Sequence, residues 1–331
     1  MNNQTLQVII TDTHFGVKNN SMTWLNSQIL FIDEQLLPFL KSAKSKYDRV
    51  EVYHLGDTFD SRSSINPFVF YTVQQRFCDI ANAVDLFVII GGNHDYYSPN
   101  DMGYNVSSVD MLKLPSNAIV LTQQHAAIGG FLLIPWFSFH NQDKLKSALK
   151  ENGWSIILTH TDLAHLEPEL KSMIHGKNVL SGHIHTPEAH GNQINLGSCY
   201  SIDFNDANSK RGFYTIEDND ISTLKFVENT KSIKFYRIYS KDFERKLPEI
   251  ARNDYVEVYV DSKTYATESV ANEIARLNEI SNSCNVIVNN AQVAIDESFN
   301  ASDFDIIDIC RRHIPEHLID KFEKTVDSIK N

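Results

Sequence analysis

Side chains that bind metals or transfer protons follow several predicted strands of this 331-residue chain. One such strand, Leu86 to Ile90, is an apolar run that leads through two glycines into Asn93-His94-Asp95. The carboxyl end of a buried strand is the usual place for an active site in an α/β protein. Taken alone, the segment is explained equally well as a polar turn that caps the next element.

The same arrangement recurs along the chain. A single histidine behind a strand would be unremarkable, because most histidines are hydrogen-bonded surface or core residues. The joint occurrence of acids, amides and imidazoles behind successive strands instead indicates a shared site. In sequence order these residues are Asp12 and His14, Asp57, Asn93 and His94, His160, and His183 and His185.

Imidazole, carboxylate and amide donors without a thiolate predict a pair of divalent metal ions. Two such ions about 3.5–4 Å apart repel each other and need a shared anionic ligand, for which Asp57 is the candidate. Mn²⁺ is preferred to Fe²⁺ or Zn²⁺ for an open, labile and partly oxygen-ligated pair. The further predicted ligands are Asp12, His14 and His185 for one ion, and Asn93, His160 and His183 for the other.

The predicted centre is positive although the whole protein carries a net charge of −12. Two dications against the carboxylates of Asp12 and Asp57 leave about +2, which attracts a phosphate locally. A water between the ions would lose a proton and attack phosphorus in line. We expect His94 to stabilise or protonate the leaving oxygen, and Asp95 to orient a neighbouring histidine from behind.

Composition indicates a globular protein large enough for two domains, with 42% apolar and 22% charged residues. No window approaches the ~18 apolar residues of a membrane span, and the apolar run Leu6 to Ile10 is too short for a signal peptide. Four cysteines without CxxC spacing predict reduced thiols in a cytoplasmic protein. The net acidity argues against binding nucleic acid by bulk charge alone.

Alternating strands and helices in the first ninety residues predict a parallel βαβ core with its motifs along one edge. Shorter strands follow, and we expect those from Gln193 to about Phe226 to close the second face. The expected fold class is α/β, a four-layer α/β/β/α sandwich over residues 1–226. We expect a small α+β capping domain of β-β-α-β form over 227–298 and a helical tail over 299–331.

Five motifs in this order resemble the signature of calcineurin-like metallophosphoesterases. They are DxH at 12–14, GDxxD at 56–60, GNHD at 92–95, the lone His160 and GHxH at 182–185. The protein Ser/Thr phosphatases of this family normally continue the second motif as GDxVDRG, whereas this chain has GDTFDSR. The GD-x-F-D form, the later KRGF segment, the small capping unit and the tail resemble the SbcD/Mre nuclease branch. Within it, the likeness is greatest to the short recombination endonuclease subunits of T4-type phages.

The resemblance implies Mn²⁺-dependent DNA hydrolysis in recombination and double-strand-break end processing. It implies an SbcC/Rad-type ABC ATPase as partner, with a nuclease homodimer inside a heterotetramer. The ligand roles carry over onto the positions named above, and the catalytic-histidine role onto His94. Asp60 stands where some members have a second histidine, so the resemblance leaves its catalytic role open.

Basic residues and the last helix are weaker indications of partners. Residues 225–252 hold eight basic and four acidic side chains, a local +4 that could contact a DNA backbone or simply form a solvated face. The apolar stripe from Leu318 to Ile329 is expected to dock on the ATPase or to pack on the protein itself. The candidate DNA contacts are Arg62, Lys210, Arg211, Lys234 and Arg237.

Two alternatives to a nuclease remain open. A phosphodiesterase or phosphatase for a small substrate would use the same pair of ions. A structural adaptor of the ATPase complex, with weak or regulated catalysis, would be expected to have lost ligands, and all seven are retained here.

Overall fold

The computed structural model describes residues 4–98, 106–140, 142–151, 153–240, 250, 253–261 and 267–289. Within them, two six-stranded sheets and one three-stranded sheet are formed. In chain order the strands are β1 (Thr5–Ile10), β2 (Arg49–His54), β3 (Leu86–Ile90), β4 (Ala118–Leu121), β5 (Ala126–Ile128), β6 (Phe131–Ile134), β7 (Ile156–His160), β8 (Asn178–Gly182), β9 (Glu188–His190), β10 (Gln193–Asn195), β11 (Gly212–Glu217), β12 (Asp220–Glu228), β13 (Phe235–Tyr239), β14 (Tyr255–Asp261) and β15 (Ser283–Asn289).

Six helices of at least seven residues are described. The longest begins at a proline, and the Asn66 side chain caps it by accepting a hydrogen bond from the Phe68 N–H, at 2.8 Å. Of the helices in the described part of the chain, none is long and apolar enough to cross a bilayer. In chain order they are α1 (Met22–Phe31), α2 (Leu37–Lys44), α3 (Pro67–Ala83), α4 (Gln142–Lys150), α5 (Pro168–Ile174) and α6 (Glu268–Ile280), with the π-helical turn Ile32–Leu36 joining the first two.

The first sheet has the order β12-β11-β1-β2-β3-β4. Strands β1 to β4 are parallel, and the β11–β12 hairpin joins the β1 edge in antiparallel register. Helical crossovers connect β1 to β2 and β2 to β3, as parallel neighbours require. The carboxyl ends of β1, β2 and β3, each followed by a predicted motif, therefore lie along one edge.

The second sheet has the order β5-β6-β7-β8-β10-β9, with a parallel centre from β6 to β10. The expectation that the strands from Gln193 to Phe226 all close the second face was wrong for β11 and β12. These two strands belong to the first sheet. Strand alternation indicates that a hairpin exists but does not specify which open sheet edge it will join.

Three apolar clusters separate four layers. Between the sheets, Tyr53 and Val88 of the first pack against Phe131 and Leu158 of the second, and all four side chains are fully buried. A second cluster holds α1, α2 and α3 on the outer face of the first sheet, and a third holds α4 and α5 on the second. Each fully buried side chain of this kind contributes roughly 1.5–3 kcal/mol. The predicted four-layer α/β/β/α sandwich is confirmed.

The third sheet is a small unit of order β13-β14-β15, and its strands are parallel. Helix α6 forms the crossover from β14 to β15. Its own core includes Val256, Val258 and Leu277. Trp24 of the sandwich stacks on Phe235 and Tyr255 of this unit, with ring centroids 5.6 and 5.9 Å apart. The β-β-α-β order matches the expectation, whereas the predicted tail at 299–331 lies outside the described residues.

Candidate metal centre

The strand-end motifs meet where the carboxyl edges of the two large sheets face each other. The first two motifs are joined by backbone hydrogen bonds, from the Asp12 N–H to the Gly56 carbonyl at 3.1 Å and from the His14 N–H to the Asp57 carbonyl at 2.9 Å. The second sheet is tied in by the His183 N–H, which donates to the Asp12 carboxylate at 3.1 Å. Residues far apart in the sequence are thus held in one cleft.

Four of the predicted ligands have a left-handed backbone, which is unusual for residues other than glycine. Their φ angles are 50° at Asp12, 40° at His14, 51° at Asp57 and 81° at His183. Such conformations cost on the order of 1–3 kcal/mol each and persist where the surrounding contacts enforce them. The hydrogen bonds between motifs are those contacts, and they direct the four side chains into the cleft.

Two glycines allow the motifs to approach closely. A Cβ atom at Gly92 would lie 2.9 Å from the Asp57 carboxyl carbon, closer than real Cβ atoms come. A Cβ atom at Gly182 would lie 2.8 Å from Asp12 Oδ2. Glycine is therefore required at both positions for the carboxylates to occupy the centre of the cleft.

The first cluster of donor atoms comprises Asp12, His14 and His185, all within 4.8 Å of one another. His14 Nε2 and His185 Nε2 are 3.0 Å apart. Asp12 Oδ1 lies 3.8 Å from each of these nitrogens. This is the set of residues predicted for the first ion.

The second cluster comprises Asp57, His160 and His183. His160 Nε2 lies 3.3 Å from Asp57 Oδ1. The Asn93 side-chain oxygen lies 3.1 Å from His160 Nε2 and 2.8 Å from His183 Nδ1, so the amide belongs to the same group. These are the residues predicted for the second ion.

Asp57 lies between the two clusters. While its Oδ1 faces His160, its Oδ2 is 3.5 Å from His14 Nε2. The carboxylate is only 1% exposed, so each oxygen faces protein rather than solvent. One side chain thus presents an oxygen to each predicted ion, as a bridging ligand must.

Buried charges of both signs are concentrated here. Burial opposes ionisation of Asp12, yet the neighbouring His14 and His160 lower its pKa to about 2. For Asp57 as well, the opposing effect of burial is outweighed by His160 and His14, and its pKa falls below the usual range. Burial likewise opposes protonation of the two histidines, but their carboxylate neighbours raise the pKa of His14 to about 10 and that of His160 to about 9. The carboxylates therefore favour positive charge at the positions where cations are predicted.

The donor set fits divalent ions of the Mn²⁺, Fe²⁺ or Zn²⁺ type. His160 donates from Nδ1 to the Leu55 carbonyl at 2.6 Å, which leaves the Nε2 lone pair directed at the second cluster. The described members of both clusters offer only nitrogen and oxygen. The nearby Cys199 thiol donates instead to the Thr11 carbonyl, and burial raises its pKa to about 12.

His94 and Asp60 flank the first cluster. The His94 N–H donates to Asp57 Oδ1 at 2.8 Å, and its ring Nδ1 donates to the Asp60 carbonyl at 2.6 Å. Asp60 Oδ1 is 3.5 Å from His14 Nδ1. Burial opposes ionisation of Asp60, but the His14 contact lowers its pKa. The Asp60 carboxylate thus faces the rear nitrogen of a predicted ligand.

Asp95 has a different environment from the expected one. Its carboxylate meets backbone N–H groups instead of an imidazole: Oδ1 accepts from Thr58 at 2.9 Å and from Phe59 at 3.1 Å, and Oδ2 accepts from Gly92 at 2.9 Å. Burial and the charge of Asp57 raise its pKa to about 7. The side chain therefore joins the second motif to the third.

Two of the candidate DNA contacts lie near the cleft. Arg62 Nε donates to the Asn93 carbonyl at 3.1 Å. Arg211 is only 4% exposed; it pairs with Asp206 at 2.5 Å and donates to the His185 carbonyl. Its guanidinium lies behind the first cluster and not on the surface where a DNA backbone would pass.

The other three candidate DNA contacts form surface ion pairs. Lys210 and Lys234 both contact Glu228, at 2.8 and 3.2 Å. Arg237 contacts Glu257 at 2.8 Å. These pairs reduce the local positive charge that the sequence suggested.

Sequence patterns did not single out Trp136 and His54. The Trp136 ring lies 5.2 Å from that of His183, and the backbone N–H of Trp136 donates to the Gly91 carbonyl at 2.9 Å. His54 is fully buried; its Nδ1 accepts from the Gly56 N–H at 3.2 Å and its Nε2 lies 2.9 Å from the Thr13 hydroxyl. Each residue stands at or just after the end of an apolar strand, and this position is the sequence signal that could have identified them.

Comparison with known proteins agrees with this geometry. A model of the calcineurin-like phosphoesterase family matches residues 7–187, more than half of the chain. The chain belongs to the calcineurin-like phosphoesterase family. The matched residues include all the predicted ligands, and membership identifies the chain as a metal-dependent phosphoesterase.

Individual relatives are more distant. Exonuclease subunit 1 of enterobacteria phage T4 is 25% identical over 232 residues, which span 66% of this chain and 66% of that protein. Among solved structures, nuclease MPE of Pseudomonas putida is 18% identical, covers 60% of this chain and 70% of that one, and has a TM-score of 0.28. A protein of unknown function from Aquifex aeolicus is 15% identical over 50% of this chain and 82% of that one, with a TM-score of 0.25. The chain thus spans about two thirds of the length of the T4 protein.

Proposed function

We propose that this protein is the nuclease subunit of a DNA-processing complex and hydrolyses phosphodiester bonds at a two-ion centre. The observation that carries the proposal is the position of Asp57, with one oxygen towards His14 and the other towards His160. A single-ion site would not need a carboxylate shared between two imidazole clusters.

The proposed ligands are those predicted from the sequence, with Mn²⁺ as the preferred ion. When bound, such ions would polarise the phosphate and lower the pKa of an attacking water. The chain itself contributes fixed orientation, because His160 is held by the Leu55 carbonyl and His183 by its backbone bond to Asp12. We assign Asp60 to holding His14, and Asp95 to holding the second and third motifs together.

His94 is the proposed proton donor to the leaving oxygen. A carbonyl can only accept, so the bond from Nδ1 to the Asp60 carbonyl fixes a proton on that nitrogen. The protonated imidazole then carries its transferable proton on Nε2, and that proton can pass to the leaving group. The backbone of the same residue orients the Asp57 carboxylate.

DNA is the proposed substrate, supported by the similarity to a phage exonuclease subunit. Arg62 is the preferred candidate for a phosphate contact because it lies beside Asn93. Lys210, Lys234 and Arg237 are secondary candidates. We assign Arg211, which is buried, to positioning His185.

The wider assembly follows the same proposal. Residues 1–226 would be the nuclease domain, 227–298 a capping domain that contacts DNA, and 299–331 a segment that docks on an SbcC/Rad-type ABC ATPase. A nuclease homodimer would sit within that heterotetramer and act in recombination and double-strand-break end processing. The stacking of Trp24 on Phe235 and Tyr255 supports a capping unit seated against the nuclease body.

The deciding experiment compares substrates with one preparation of the protein. Linear single- and double-stranded DNA and bis(p-nitrophenyl) phosphate are each incubated with Mn²⁺, with Mg²⁺ and with EDTA. Cleavage of DNA that requires Mn²⁺ supports the proposal. Turnover of the small diester without DNA cleavage would instead identify a small-substrate phosphodiesterase, and inactivity on all substrates would favour an adaptor.

A further inference from the structure

His185 is the least enclosed of the three residues in the first cluster. Its side chain is 37% exposed, whereas those of His14 and Asp12 are 2% and 0% exposed. It lies on the loop between β8 and β9. Because packing restricts this imidazole so little, the groups that hold its backbone decide whether the ring faces the first ion.

Two donors hold that backbone at the His185 carbonyl. The Ser198 N–H donates to it at 3.1 Å, and the Arg211 guanidinium donates to it from Nη1. The other terminal nitrogen of the guanidinium, Nη2, pairs with Asp206 Oδ1 at 2.5 Å. Both side chains of this ion pair are buried, with 3% and 6% of their surface exposed. Arg211 therefore connects Asp206 to the backbone of an ion ligand.

Asp206 is held in turn by residues 202–208, which we call the junction segment. Its Oδ2 accepts from the Ile202 N–H at 2.7 Å, and its own N–H donates to the Asp203 carbonyl at 3.1 Å. Breaking a buried ion pair is strongly unfavourable, because it leaves an uncompensated charge away from water. A displacement of the junction segment would therefore carry Arg211 with it.

The junction segment also contacts the three-stranded unit, which consists of β13, β14, β15 and α6. The Asn208 N–H donates to the Phe235 carbonyl at 2.9 Å. The Asn208 side chain donates to the Arg237 carbonyl at 2.9 Å and accepts from the Arg237 N–H at 3.3 Å. The Phe204 ring packs on that of Phe235, with centroids 4.9 Å apart. Both partners lie on β13, an edge strand of the third sheet.

We propose that the junction segment couples the position of the three-stranded unit to binding of the first ion, with Asp206 and Arg211 as positioning residues for His185. The inference rests on the proposed two-ion centre. Moving the unit away from the sandwich would weaken the first ion, and binding of that ion would favour the docked unit by the same factor. The second ion should be affected less, because His160 is held separately by the Leu55 carbonyl.

The first test measures Mn²⁺ binding to the full chain by isothermal titration calorimetry. Arg211→Met removes a donor to the His185 carbonyl and should weaken one of two Mn²⁺ sites about tenfold, as expected when a group that orients a metal ligand is lost. His185→Ala should weaken the same site. If Arg211 acts through His185, adding Arg211→Met to His185→Ala should cause no further loss. Losses that simply add would overturn this route.

The second test concerns the contact with the three-stranded unit. Asn208 has a φ of 60°, which glycine adopts freely, so Asn208→Gly removes the bonds to Arg237 without straining the turn. It should weaken the same Mn²⁺ site about threefold, with no further loss when combined with Arg211→Met. Asn205→Ala, at an exposed position in the same segment, should bind as wild type. Wild-type binding by Asn208→Gly would overturn the coupling.

Two further comparisons separate the possible failures. Asp206→Asn keeps an acceptor for the Ile202 N–H and replaces Arg211→Met if thermal melting shows that the latter does not fold. Two Mn²⁺ ions bound equally well by wild type and by folded Arg211→Met would overturn the coupling alone. A wild-type protein that binds fewer than two Mn²⁺ ions would instead overturn the two-ion centre on which the inference rests.

Discussion

The backbone N–H of His94 donates a 2.8 Å hydrogen bond to Asp57 Oδ1, which joins the proposed proton donor to the proposed bridging ligand. The bond comes from the main chain, so it does not depend on the imidazole. The two roles of this segment, orienting the bridge and protonating the leaving group, can therefore be separated by substitution.

Replacing the His94 imidazole should abolish most catalysis without releasing the ions. In His94→Ala, kcat should fall by about 10²–10⁴, the range of a general acid, because the backbone bond to Asp57 remains. Metal content, measured by mass spectrometry after gel filtration, should stay at two ions per chain. Loss of an ion would make His94 a ligand.

Removing the charge of Asp57 should disrupt both ions together. Asp57→Asn keeps the shape of the side chain but loses the anion shared by the two clusters, so metal content should fall below two and activity should disappear. Asp143→Asn, at an exposed position on α4, serves as the matched control. Wild-type activity in Asp57→Asn would contradict the bridging assignment.

Trp136 should report occupancy of the second site. Its ring is 5.2 Å from that of His183, so paramagnetic Mn²⁺ bound there should quench its fluorescence, whereas diamagnetic Mg²⁺ should not. Trp136→Phe should remove most of the Mn²⁺-dependent quenching while metal content is retained. Equal quenching in the variant would place the ion away from His183.

Acid should destabilise the fold through His54. Burial is the main cause that lowers the pKa of this imidazole from 6.5 to about 3. The neutral form stabilises the fold fully above pH 6.5, and this contribution is lost as the pH falls towards the folded pKa, by about 1.4 kcal/mol per unit. Urea unfolding between about pH 7 and pH 4.5 should show a shallower loss in His54→Gln than in wild type. Parallel profiles would show that His54 does not titrate in this way.

Deleting residues 302–331 tests the proposed partner. The described site does not include these residues, so Mn²⁺-dependent cleavage by the isolated chain should persist. Association with an SbcC/Rad-type ATPase, measured by co-purification of the two chains, should be lost. Unchanged association would indicate instead that the predicted apolar stripe packs on the protein itself.

The sequence predicted the features that depend on the order of strands and motifs along the chain. Parallel strands carry their motifs to one edge, so the grouping of Asp12, Asp57 and Asn93 follows once the strands are recognised. The positions of Arg211 and Asp95 did not follow. Arg211 was predicted as a candidate DNA contact, and only its tertiary pairing with Asp206 shows that it is buried.

The sequence pattern also did not predict which sheet β11 and β12 join. The pairing of β11 with β1 joins residues more than 200 positions apart, such as Leu6 and Glu217. Contacts of that range depend on which sheet edge is open after the core has formed.

Both donor clusters straddle the two large sheets. Asp12, Asp57 and Asn93 extend from the first sheet, and His160 and His183 from the second. Each ion would therefore cross-link the two halves of the sandwich in addition to serving the reaction. Ligand binding at a free concentration of 100 Kd stabilises a fold by about 2.7 kcal/mol per site. A shortage of the metal ion would therefore stop catalysis and also weaken the contact between the two sheets. Metal-free molecules would then unfold and be cleaved by proteases more readily than metal-bound ones.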